Sequence, residues 1–277
     1  MIDFHTHIFS PYVRDHRDQL AKADPIFSRI YADRQARMIG VEGLVEAMDQ
    51  NGVEQSVVCG FPWQGAESCR RENAFLLESA HQYPDRIIPF ISLPQEENAA
   101  LTVFEQCARA GARGIGEMAP GTYGDRLWNI EVMRPLFAAI KETDLPVLIH
   151  CNEPLGHPYP GKGKVGPAEM GTLVAALQGI PVILAHWGGG FFFYELMPEI
   201  AASCQGVYYD TAASPFLYNK RIYQIAIAIV GPQRILFGSD YPLIPPARYK
   251  QEMQEAGIAG KELEAILGLN AQRLLGL

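Results

Sequence analysis

Two stretches decide the fold: residues 143–150 read TDLPVLIH, and residues 179–186 read GIPVILAH. Each is a proline leading into a short apolar run that ends in a histidine. A run of four or five consecutive apolar residues, rather than an alternating one, is what a strand covered on both faces looks like. Six further stretches share this character. The expected strands are Met1–His5, Gln55–Gly60, Ile87–Leu93, Gly114–Met118, Pro146–His150, Pro181–His186, Val207–Asp210 and Arg234–Ser239. Segments with helical periodicity separate them, at 41–51, 71–83, 98–110, 129–143, 167–178, 191–203 and 220–230, with 249–255 and 260–275 after the last strand. Eight strands alternating with helices in one chain of 277 residues predict a (β/α)8 TIM barrel in a single domain, residues 1–277.

Two connections are longer than the rest. Residues 8–40 carry a charged helical insertion after the first strand, around RDHRDQLAKADP. Residues 153–166, EPLGHPYPGKGKVG, are rich in glycine and proline and read as a loop. Both follow strands and so belong at the C-terminal mouth, where barrel active sites sit.

Composition bounds the function. The formal net charge is −8, which argues against nucleic acid as a partner. No apolar run is long enough to span a membrane. The scattered cysteines, five in number, fit reduced thiols and a cytoplasmic setting better than a disulfide frame.

Polar residues gather at the predicted strand ends. In a strand, residues i and i+2 share a face, so His5 and His7 project together. Thr6 between them is expected to face the helices, and Asp3 to face inward one step deeper. His150 and His186 close the fifth and sixth strands. Glu117 ends the fourth, in GIGEM, and Asp240 follows the eighth, in ILFGSDYP. Imidazoles and carboxylates gathered at one mouth are a ligand set for zinc or a similar divalent cation. Each has a plainer reading: a histidine can cap a strand, Glu117 can pair with Arg113, and Asp240 can cap a turn. His16 and His81 fall in charged helical surroundings and read as surface residues, and His157 as a solvated loop residue.

H-x-H on strand one, histidines after strands five and six and an aspartate after strand eight resemble the amidohydrolase superfamily. The pattern DFHTHIF, VLIHCNE, ILAHWGG, ILFGSDYP, NAQRLLGL is most similar to its amidohydrolase-2 branch, across nearly the whole chain. That resemblance implies a metal-dependent hydrolase. A divalent metal, zinc first and manganese second, would be held by His5, His7, His150 and Asp240, with Glu117 as an added ligand and one or two ions. His186 and Asp240 would be the catalytic pair. Asp240 would take a proton from a metal-activated water, and His186 would polarise the carbonyl of a small substrate. The alternatives are a non-oxidative decarboxylase on the same metal frame, a TatD-like phosphodiesterase or nuclease, and a barrel that only binds.

The expected substrate wall is aromatic: Phe9, Trp63, Trp187 and Tyr241, with Tyr12 and Trp128 beside them. Arg14 is a carboxylate partner or an exposed loop residue. FFFYELM at 191–197 is a homodimer contact or a buried helix face. The glycines at 188–190 could free a helix N-terminus for an anion, with no phosphate motif to support it.

Overall fold

The structure, a computed structural model, describes residues 1–94, 97–119 and 129–277. Trp128 lies outside them. Eight parallel strands follow one another around a sheet in chain order: β1 Ile2–Thr6, β2 Gln55–Cys59, β3 Ile87–Ile91, β4 Gly114–Met118, β5 Val147–Ile149, β6 Val182–Leu184, β7 Val207–Asp210 and β8 Ile235–Leu236. Phe4 N–H donates to the Phe237 carbonyl at 2.7 Å, and His7 N–H to that of Tyr241 at 2.8 Å. These bonds join β1 to the chain leaving β8, so the sheet closes into the (β/α)8 barrel.

Side chains alternate between two cores. Ile2, Phe4, Val57, Phe90, Leu148 and Ile183 fill the barrel, and Ala271 and Leu275 of the last helix cover its base. Val147, Ile149, Val182, Leu184, Val207 and Tyr209 face the surrounding helices instead. Burying both faces is what makes the strands continuously apolar.

Strict alternation fails at one place that matters. Ile2 and Phe4 already point inward, so His5 would point out. The β1–β2 register shifts between Asp3 and Thr6. This irregularity re-aims the strand, as bulges do, and turns His5 inward. Asp3 sits between Ile2 and Phe4 and therefore leaves the barrel axis. It accepts from Ser239 N–H at 2.9 Å, which corrects the inward placement. Thr6 is fully buried, its hydroxyl donating to the Val57 carbonyl at 2.7 Å.

Several expected strands end early. The β5, β6 and β8 ladders stop at Ile149, Leu184 and Leu236, so His150, His186 and Asp240 stand just beyond them. The insertion after β1 folds as three short helices, Pro11–Asp15, Arg17–Ala23 and Pro25–Tyr31. The helix expected at 191–203 is not continuous. A left-handed turn at residues 186–190 and a 3-10 stretch up to Leu196 precede the short helix Pro198–Ser203. Residues 187–190 all take left-handed backbone, so the glycines do not free a helix N-terminus. In this segment Phe191 and Phe192 are buried while Phe193, Tyr194, Leu196 and Met197 are exposed. All five cysteines are buried and free. Among the described residues, no helix is long and apolar enough to cross a membrane.

Candidate active site

Six polar side chains meet at the C-terminal mouth. His5 Nε2 lies 3.1 Å from His7 Nε2. His7 Nε2 lies 3.3 Å, and His5 Nε2 3.9 Å, from Asp240 Oδ1. Glu117 presents one carboxylate oxygen to each side: Oε2 is 3.6 Å from His5 and 3.7 Å from His7, and Oε1 is 2.7 Å from His150 Nδ1 and 3.5 Å from His186 Nε2. Among the described residues, two overlapping sets have ligand atoms all within 4.8 Å: His5, His7 and Asp240, and His5, Glu117 and His186. His150 joins neither. Its Nδ1 is on Glu117 and its Nε2 lies 3.2 Å from Asn152 Oδ1.

The far nitrogens of the rings explain why the near ones converge. His7 Nδ1 faces the Cys59 carbonyl at 3.3 Å, and His186 Nδ1 faces the Ala212 carbonyl at 3.1 Å. A carbonyl only accepts, so both nitrogens donate, and when either ring is neutral its lone pair is on Nε2. His5 Nδ1 lies 2.8 Å from the Asp210 carboxylate, with the same consequence. Three imidazole lone pairs and two carboxylates therefore face one small volume. Such a set needs a positive charge at its centre, and nitrogen and oxygen donors of this kind fit a divalent transition metal. Partners that hold the far nitrogen of each histidine are the usual support of such a centre.

The electrostatics match. Burial works against a charge on Glu117, yet the charges of His150 and His5 hold its carboxyl well below the ordinary value. Asp240 is lowered too: burial is outweighed by the hydrogen bond from His7 and the charges of His5 and His7. Burial opposes a charged His5, but Glu117 and Asp210 hold it well above the usual range. His186, despite burial, is pushed up to about 9 by its contact with Glu117 and the charge of Asp240. Protons on His5 and His186 thus supply the positive charge when no cation does.

A cavity of about 660 Å³ opens onto these groups. His7, Glu117, His150, His186 and Asp240 form its floor. Tyr31, Arg37, Phe61, Tyr159, Phe216 and Leu243 contribute to the walls. His157 lines it as well and is exposed. The expected aromatic wall is placed differently. Phe9, Trp63 and Trp187 are buried below the surface of the cavity, and none lines it. Phe9 packs against Phe27, Tyr31 and Phe61, and Trp63 stacks on Phe27. Trp187 Nε1 donates to Ser214 Oγ at 2.6 Å. Tyr241 lies under the Arg37 guanidinium, 5.8 Å away, also outside the lining. Phe27 and Tyr31 of the insertion draw Phe9 and Trp63 into the main hydrophobic core. Tyr12 and Arg14 are exposed, and neither lines the cavity.

Sequence reasoning passed over Asp210, which is fully buried and touches both His5 and the His186 backbone. A signal was present: VYYD ends a strand in a polar residue just as VLIH and ILAH do.

The family described as Amidohydrolase matches residues 2–277. The gamma-resorcylate decarboxylase of Rhizobium radiobacter is 24% identical, across 89% of this chain and 90% of that one. Among solved structures, the 5-carboxyvanillate decarboxylase of Sphingomonas paucimobilis superposes with a TM-score of 0.78 at 17% identity, covering 100% of this chain and 99% of its own. The dihydroxybenzoic acid decarboxylase of Polaromonas sp. JS666, solved with manganese and the inhibitor 2-nitroresorcinol, gives a TM-score of 0.74 at 18% identity, covering 100% and 96%.

Proposed function

The chain belongs to the amidohydrolase family, and on that premise we propose that it is a metal-dependent decarboxylase of a small aromatic carboxylic acid. The expectation of a hydrolase gives way to its lyase alternative, because the similar proteins named above are decarboxylases. One observation carries the reading: the Nε2 atoms of His7 and His186, with Glu117 and Asp240 and with buried His5 against them, lie at the floor of a cavity walled largely by aromatic and aliphatic side chains.

His5, His7 and Asp240 would hold the cation, with Glu117 and His150 beside them. Manganese ranks ahead of zinc, by likeness to the manganese-containing Polaromonas enzyme. When bound, the cation supplies positive charge for the carboxylate and neighbouring oxygens of the substrate. His186 faces the cavity through Nε2, where it would carry the proton to be transferred. It delivers that proton to the ring carbon bearing the carboxylate. The carbon–carbon bond then breaks, its electron pair restores the aromatic ring, and carbon dioxide leaves. His186 regains a proton from water. Tyr31 and Phe61 supply flat apolar surface for the ring, and Arg37, at the wall, offers a guanidinium to a second anionic substituent.

A panel of hydroxylated benzoates with manganese tests this, read as carbon dioxide released per acid consumed. Stoichiometric release supports the proposal. Hydrolysis of an amide, ester or lactone with no release from any acid overturns it. Glu117 favours a second reading, hydrolysis at a two-ion site, because its two oxygens face separate pairs of histidines. Two tightly held ions per chain would support that reading over the first.

A further inference from the structure

Asp210 ends β7 and is wholly buried beneath the site. Its two oxygens do different work. Oδ2 lies 2.8 Å from His5 Nδ1. Oδ1 accepts from the backbone N–H of His186 at 2.8 Å and from that of Ala212 at 3.0 Å. The His186 backbone is held at φ 55, and residues 187–190 continue in left-handed conformation. Left-handed backbone costs non-glycine residues energy, so the turn needs external anchors. One carboxylate thus fixes the ring of one inward-facing histidine and the backbone of another.

We propose that Asp210 is a positioning residue that locks His5 in the tautomer with its proton on Nδ1, keeping the Nε2 lone pair on the cation site, while it pins the turn that carries His186. The inference rests on the cation-dependent reading above. It concerns how the site is set, whatever the substrate.

Asp210→Asn separates the two tasks. The two backbone N–H groups keep the amide oxygen where Oδ1 was. The amide NH2 then points at His5 Nδ1, which must accept and so gives up its proton, and the proton His5 retains sits on Nε2. That proton stands where the cation should be. Substituting a partner of this kind lowers metal affinity about 10- to 100-fold.

The experiment titrates the metal-stripped wild-type chain and Asp210→Asn with manganese and with zinc by calorimetry. It also reads the His5 ring nitrogens by 15N NMR in the metal-free and zinc-loaded states, assigned with His5→Asn. The expected result is a loss of affinity of that size and, in the metal-free variant, a His5 that carries a proton on Nε2 and none on Nδ1. The wild-type spectrum stands even if the variant fails to fold: zinc-loaded His5 must show a protonated Nδ1 and a bound Nε2. Coordination through Nδ1, or equal affinity and an unchanged His5 tautomer in the variant, overturns the role of Asp210 alone. A wild-type chain that binds neither cation overturns the cation reading and this inference together.

Discussion

TDLPVLIH and GIPVILAH are nearly the same sequence, yet their histidines end in different states. His150 leaves β5 into a loop, with both ring nitrogens occupied by Glu117 and Asn152. His186 leaves β6 into a run of left-handed residues that bends the chain back. Its Nδ1 is tied to a backbone carbonyl, and its Nε2 faces the cavity floor. The residues that follow make the difference: CNEP after one, WGGG after the other. A strand end places a histidine at the mouth; the turn after it decides which nitrogen is free to act.

Three substitutions break this comparison, in order of effect. His186→Asn removes the proposed proton donor and should lower turnover about 10²- to 10⁴-fold, with manganese content unchanged. Steady-state kinetics and metal analysis check it, and turnover within threefold of wild type would remove His186 from the chemistry. Gly189→Ala strikes where the two regions touch. Gly189 has φ +57, and a Cβ there would lie 2.2 Å from the Asn152 carbonyl oxygen. The clash cannot be relieved by a side chain, so a stability loss of about 2–4 kcal/mol is expected from denaturant unfolding, with weakened cation binding. Wild-type stability would show that the two strand ends are independent. His150→Asn should cost about tenfold in cation affinity with most turnover retained at saturating manganese. Loss of all binding would make His150 a ligand equal to His5.

The pH dependence sharpens the contrast. His5 is held charged well above its usual range by Glu117 and Asp210 against the effect of burial. A cation must displace that proton, so affinity is full above the raised value and falls as pH drops through it. Calorimetry at several pH values reads this as proton release on binding. Affinity independent of pH from neutrality to mildly alkaline conditions would contradict it.

The barrel was legible because strands buried on both faces must be continuously apolar. The strand-end residues His5, His7, Glu117, His150, His186 and Asp240 were legible because a barrel collects one end of every strand. Less could be read where the backbone departs from regular geometry. Period-two alternation pairs His5 with His7 but also with Asp3, and only the register shift in β1 separates them. Aromatic residues near strand ends look like a substrate wall, but Phe9 and Trp63 are taken up by Phe27 and Tyr31 of the insertion. Asp210 ends its strand as His150 and His186 do, but its role lies in contacts with His5 and the His186 turn that the sequence alone does not display.

We propose that the lone pairs meeting at the mouth are arranged around a cation. Titrating the metal-stripped chain with manganese, while following released protons, tests it most directly. Saturable binding of at least one ion per chain, with protons given up at neutral pH and binding lost in His5→Asn, is the result predicted. A chain that takes up no manganese or zinc and releases no protons would contradict it.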